Sequence, residues 1–110
     1  MDKPVHTEVR EGFEIKLYLL PEFDELDWDF ESEDDRLEVL RKINNGTYMW
    51  FCAKVTASRE GVELAADYLG ACCYGSVAEF IAPNGHYTDM CSTVIIEAKA
   101  VLTKLGVPQP

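Results

Sequence analysis

The sequence predicts a small α+β domain, in which helices pack mainly on one face of a small antiparallel sheet. Two observations favour the sheet: apolar and polar residues alternate over residues 12–19, and two apolar runs, 47–57 and 62–73, flank a tight turn. A third favours a long helix, because apolar residues recur every three or four positions over residues 87–105. With 110 residues and 47% hydrophobic residues, the chain is expected to form one domain, residues 1–110.

The first half of the chain contains one predicted strand and one predicted helix. The strand ends at Pro21, which cannot donate to a sheet hydrogen-bond ladder. Ser32 is a typical helix N-cap, and the acids that follow it suit the first turn of a helix. Asn45 and Gly46 are typical helix terminators. We therefore predict a helix over residues 33–44.

The second half begins with a hairpin made of the two apolar runs and the turn at 58–61. Ser76 and Glu79 have the spacing of a capping box and predict a short helix that ends before Pro83. The long C-terminal helix should end at Gly106. The predicted order is strand, helix, hairpin, short helix and long helix.

The charge of the chain is concentrated in one stretch, residues 22–35, which we call the acidic segment. It holds nine carboxylates and no Lys or Arg, whereas the whole chain has a formal charge of −10. Such a block must be solvated or matched by positive charge. We therefore expect a protein partner with a basic surface, and no direct binding to nucleic acid or membrane, since both are negatively charged.

Within the acidic segment, carboxylates alternate with large apolar side chains. If this stretch is extended, carboxylates two positions apart lie about 7 Å from each other, which is similar to the spacing of phosphates along a nucleic-acid strand. Aromatic residues beside charge are typical anchors of interfaces. The interpretation left open beside this one is an acidic loop that only keeps the protein soluble. The predicted partner-binding residues are Asp27, Trp28, Asp29, Phe30, Glu31, Glu33, Asp34 and Asp35.

A calcium-binding loop is an alternative hypothesis for residues 27–38. Counted from Asp27, oxygen-bearing side chains occupy loop positions one, three, five, seven, nine and twelve, with Glu38 at the last. Ser32 stands where such loops need glycine, and Asp34 stands where they carry an apolar residue. The leading hypothesis therefore includes no metal and no cofactor.

The residues that could support catalysis are sparse. The four cysteines form no CxxC motif and the chain has two histidines, so neither a zinc site nor a catalytic residue is predicted. His86 and Cys91 lie five positions apart, and an enzyme built on them is the least favoured alternative. The sequence contains no apolar run long enough to span a membrane and no secretory signal. We therefore expect reduced thiols and a cytoplasmic protein, monomeric or homodimeric.

Residues 61–80, followed by Tyr87-Thr88-Asp89-Met90, resemble a pattern in small uncharacterised proteins encoded by phages and plasmids. In profile, as a single acidic domain without catalytic motifs, the chain also resembles anti-CRISPR and antirestriction proteins. The resemblance implies a non-enzymatic inhibitor, acting in the cytoplasm of a host cell. Its acidic face would imitate nucleic acid and occupy the basic surface of a nucleic-acid-targeting defence complex.

Overall fold

The computed structural model describes residues 3–21, 32–83 and 85–107. Within them, four strands form one antiparallel sheet in the order β1-β2-β3-β4, and three helices complete the α+β fold. The fold class predicted from the sequence is confirmed. None of the described helices is both long and apolar enough to cross a membrane. The elements are β1 (His6–Arg10), β2 (Phe13–Pro21), α1 (Glu33–Asn44), β3 (Met49–Arg59), β4 (Val62–Tyr74), α2 (Val77–Phe80) and α3 (His86–Leu105).

Among the elements of the described residues, the N-terminal strand β1 alone was not predicted from the sequence. It pairs with β2 through the turn at Glu11 and Gly12, whose φ angles are 50° and 82°. The β3–β4 hairpin turns in the same way at Glu60 and Gly61, with φ angles of 52° and 81°. Two consecutive residues with positive φ match the twist of antiparallel strands, and glycine at the second position avoids the steric cost. Both hairpins therefore use the dipeptide Glu-Gly.

The hydrophobic core lies between α3 and one face of the sheet. Phe13, Ile15 and Leu17 point into it from β2, and alternate residues of β3 continue the same layer. The helix α2 contributes Phe80, whose ring meets those of Phe51 and Tyr74 edge to face. Helix α3 contributes Tyr87, Met90, Cys91, Val94, Ile95, Ala98 and Leu102, all of them buried.

Helix α1 is not part of this core, since none of its residues is buried. Its two sides nevertheless differ in exposure, because successive helical residues are about 100° apart. One side carries four half-buried residues: Arg36, Val39, Leu40 and Ile43. The other, which we call the outward side of α1, carries four exposed residues: Asp34, Leu37, Glu38 and Arg41.

Candidate functional site

The predicted partner-binding residues divide into two groups. Asp27, Trp28, Asp29, Phe30 and Glu31 lie outside the residues that the structure describes. Glu33, Asp34 and Asp35 form the first turn of α1, and all three are exposed. The described part of the predicted site is therefore the N-terminal end of a solvent-exposed helix.

Local sequence explains why α1 begins where it does. The hydroxyl oxygen of Ser32 accepts a hydrogen bond of 3.2 Å from the backbone N–H of Asp35. This satisfies one of the N–H groups that a helix leaves free at its start. The three carboxylates of the first turn face the positive end of the helix dipole, which stabilises them. The predicted N-cap and helix bounds are thus confirmed.

The three carboxylates do not form a straight row. At about 100° per residue, Glu33, Asp34 and Asp35 spread over about 200° around the helix end. Glu33 is partly neutralised by Arg36, whose Nη1 lies 3.1 Å from Glu33 Oε1. In the described part of the chain, Asp34 and Asp35 form no ion pair. The first turn therefore presents a compact negative cap with two carboxylates available for a partner.

An apolar side chain stands beside this negative cap. Leu37 is 52% exposed, and it lies on the outward side of α1 between Asp34 and Arg41. The apolar anchors predicted from the sequence were Trp28 and Phe30, and Leu37 was not among them. Its helical spacing with Leu40 indicated a packed residue, but the exposure of Leu37 shows that the apolar stripe of α1 is only partly covered.

The helical geometry of α1 does not support the calcium hypothesis. Glu33, Asp35 and Glu38 would be ligands seven, nine and twelve. At about 100° per residue, Asp35 and Glu38 share one side of the helix, but Glu33 lies on the other side. The Glu38 carboxylate instead accepts two hydrogen bonds from Arg41, of 3.1 and 2.5 Å. Across the described ranges, no group of three or more His, Cys, Asp or Glu residues could hold a metal ion.

A second polar cluster, which the sequence analysis missed, joins β1 to the start of α3. Its centre is Glu8. Tyr87 Oη donates to Glu8 Oε2 at 2.7 Å, His6 Nε2 lies 2.7 Å from the same oxygen, and Arg10 Nε donates to Glu8 Oε1. The Arg10 guanidinium also lies 5.5 Å from the centre of the Tyr87 ring. Alternate residues of β1 point to one face, so His6, Glu8 and Arg10 all meet α3.

The contacts in this cluster shift the pKa values of Glu8 and Tyr87. Burial by itself would raise the pKa of Glu8, but the hydrogen bonds from Arg10, Tyr87 and His6 outweigh it and lower the pKa to about 2. Burial, together with the hydrogen bond to Glu8, raises the pKa of Tyr87 far above its ordinary value. The carboxylate is charged and the phenol neutral at any physiological pH. Because the polar groups of the cluster are directed at one another, it holds β1 against α3.

The residues of the enzyme hypothesis are not arranged as a nucleophile and a base. Cys91 is fully buried, and that burial raises the pKa of its thiol. His86 is exposed, and its Nδ1 lies 3.1 Å from the hydroxyl of Tyr74 on β4. Its imidazole is thus engaged with a residue of the sheet, and the Cys91 thiol faces the core.

The chain matches no known protein-family model, no curated protein and no solved structure. Its function is therefore inferred from the surfaces and contacts of the chain itself.

Proposed function

We propose that this protein is a non-enzymatic inhibitor of a host nucleic-acid-targeting defence complex, of the anti-CRISPR type. In this proposal the acidic segment and the first turn of α1 bind a basic surface that otherwise holds nucleic acid. The protein would act in the cytoplasm of the host cell, without a cofactor. The observation that carries the proposal is the exposure of Asp34, Asp35 and Leu37 on a helix that buries none of its residues.

The mechanism is charge mimicry. Carboxylates form short, charge-assisted hydrogen bonds with the Arg and Lys side chains that ordinarily bind phosphate oxygens. Asp34 and Asp35 carry no internal ion pair in the described residues, so they lose little when they exchange water for a partner's guanidinium groups. Leu37 adds an apolar contact to these charged ones. Such a contact matters because a few buried anchor residues carry most of the binding energy of an interface. The protein and the nucleic acid would then compete for one basic surface of the partner.

The competing explanation is an acidic surface that only maintains solubility. Leu37 is 52% exposed beside Asp34, so this surface combines an apolar side chain with carboxylates. This combination of an apolar centre and a charged surround is typical of binding surfaces. It favours the inhibitor over the solvated loop.

The test begins with capture of host proteins on the immobilised chain at low and high salt, followed by kinetics with the purified partner. The variant Asp34→Asn/Asp35→Asn should slow association at low salt, because steering by charge is lost. The matched control is Asp89→Asn/Glu97→Gln, which removes two charges from exposed positions of α3. Equal association rates for the two double variants would contradict the mechanism.

A competition assay tests the inhibitory step itself. Labelled nucleic acid is bound to the purified defence complex, and the protein is titrated in at several salt concentrations. Displacement should require Leu37 as well as the carboxylates, so Leu37→Ser should raise the half-displacing concentration about tenfold or more. Formation of a ternary complex, with nucleic acid still bound, would exclude mimicry.

A further inference from the structure

The face of the sheet opposite α3, which we call the open face, carries a row of three side chains across three strands. Tyr18 on β2, Lys54 on β3 and Tyr68 on β4 are direct neighbours in the strand register. Lys54 Nζ lies 5.6 Å from the centre of the Tyr18 ring and 5.7 Å from that of Tyr68. No described helix buries a side chain against this face, since the buried residues of α2 and α3 belong to the core and α1 has none.

This row is a positively charged and aromatic surface on an acidic protein. Within the described residues, Lys54 forms no ion pair, and its ammonium group is held only by the two ring faces. Tyr68 is 56% exposed and Tyr18 is half-buried, so the rings are accessible from solvent. The surface suits a ligand that brings a carboxylate to Lys54 and an apolar group to the flanking rings.

The outward side of α1 has this chemistry. Asp34 has no internal ion pair among the described residues, and Leu37 lies one turn further along the same side of the helix. The chain thus displays a cationic aromatic surface and an acidic apolar helix side, which are complementary in charge and in polarity.

We propose that two copies of this chain form a homodimer, in which the outward side of α1 of each copy docks on the open face of the other. Asp34 pairs with Lys54, and Leu37 packs against Tyr18 and Tyr68. A two-fold axis makes the contact reciprocal and closes the assembly at two chains. The dimer and the inhibitory complex would both use Asp34 and Leu37, so the two assemblies exclude each other. The dimer is tested on the purified protein alone, separately from inhibition.

The mass of the purified protein in solution provides the test. Light scattering or sedimentation at concentrations from about 10 to 500 μM should give the mass of a dimer. Lys54→Glu and Leu37→Ser should each raise the dimer dissociation constant at least tenfold, whereas the control Ile96→Ser should leave it unchanged. Ile96 is 68% exposed on α3, away from the open face. Circular dichroism verifies that each variant is folded, and Tyr68→Ser replaces Lys54→Glu if that variant unfolds.

A charge exchange separates the proposed contact from any other dimer. Asp34→Lys should weaken the dimer, and Asp34→Lys combined with Lys54→Glu should restore it, because the pair is rebuilt with reversed charges. A wild-type protein that is monomeric throughout the range would overturn the proposal. So would a dimer that tolerates Leu37→Ser and Lys54→Glu, or one that the charge exchange does not rescue.

Discussion

The Tyr87 hydroxyl donates a hydrogen bond of 2.7 Å to Glu8 Oε2, across 79 positions of the chain. Tyr87 is fully buried at the start of α3, whereas Glu8 lies on the edge strand β1. The contact therefore holds the edge of the sheet to the helix that covers it.

Replacement of Tyr87 by Phe should destabilise the protein by about 2 kcal/mol, because the charged Glu8 carboxylate loses a hydrogen-bond donor. The ring, which packs near Phe80, is retained. Urea unfolding measures the change. The control is Tyr74→Phe, whose hydroxyl meets His86 at an exposed position and whose loss should cost less than about 0.5 kcal/mol. Equal losses for the two variants would show that the Glu8 contact carries no special weight.

The low pKa of Glu8 predicts a pH dependence of stability. The pKa is about 2 in the folded state and 4.5 ordinarily, so below pH 4.5 the unfolded chain takes up a proton that the folded chain does not. The contribution of Glu8 is complete above pH 4.5 and is lost as the pH falls towards 2. The Glu8 side chain is 27% exposed, so solvent screening reduces this contribution. After that reduction it should be about 2 kcal/mol.

Free energies of unfolding, measured between pH 2 and pH 7, test this dependence. In Glu8→Gln the acid limb, which is the loss of unfolding free energy between pH 7 and pH 2, should be smaller by about 2 kcal/mol. The reason is that residue 8 no longer has a carboxyl group to titrate. Glu14→Gln is the control, because Glu14 is more exposed and pairs with Lys16 at the surface. An acid limb that keeps its wild-type steepness in Glu8→Gln would refute the assignment.

The cysteines should differ in reactivity. Cys72 and Cys91 are buried, whereas Cys52 and Cys73 are half-buried. Burial raises the pKa of Cys91 and also that of Cys73, so these two thiols should react more slowly than a free thiol. A thiol reagent should give two faster and two slower phases under native conditions and one phase in denaturant. A fast phase that disappears in Cys91→Ala would instead support the enzyme hypothesis.

Calcium should not stabilise the protein. Glu38 is paired with Arg41, and Glu33 lies on the other side of the helix from Asp35 and Glu38. A ligand that binds only the native state raises the unfolding temperature, so a thermal melt with millimolar calcium should show no more change than one with magnesium. A rise specific to calcium, and absent in Asp35→Asn, would reinstate the calcium loop.

Loss of the Ser32 cap should loosen α1 while leaving the sheet intact. Because α1 buries no residue, its stability depends chiefly on local interactions, and Ser32→Ala should remove about 1 kcal/mol of them. Amide hydrogen exchange should accelerate in α1 and stay unchanged in β3. Ser92→Ala, which alters an exposed hydroxyl on α3, serves as the control. Equal acceleration in both helices would contradict a local role.

The local signals of the sequence were sufficient for most elements. The bounds of α1 were predicted because Ser32 and Asn45 mark its two ends with residues of known capping preference. The capping box of α2 was predicted for the same reason. Glu79 accepts from the backbone N–H of Gly75 rather than from that of Ser76. Strand β1 was missed because its five residues are mostly polar and its alternating pattern carries little hydrophobic signal.

The sites were less predictable than the fold. Charge composition identified the acidic segment, and the structure places its last three acids at the exposed start of α1. Leu37 and Lys54 were identified by their surroundings in space. Leu37 is exposed to solvent, and Lys54 lies between tyrosines of two neighbouring strands. Neither property can be predicted from the residues that are adjacent in the chain.

The sequence by itself determined the α+β class, the element order from β2 onward and the location of the excess charge. Each of these depends on periodicity, capping or composition within a short window. Only the tertiary structure decided that Glu8 would meet Tyr87, and that Lys54 would lie between Tyr18 and Tyr68. Such contacts follow from strand register and helix packing, which bring together residues that are distant along the chain.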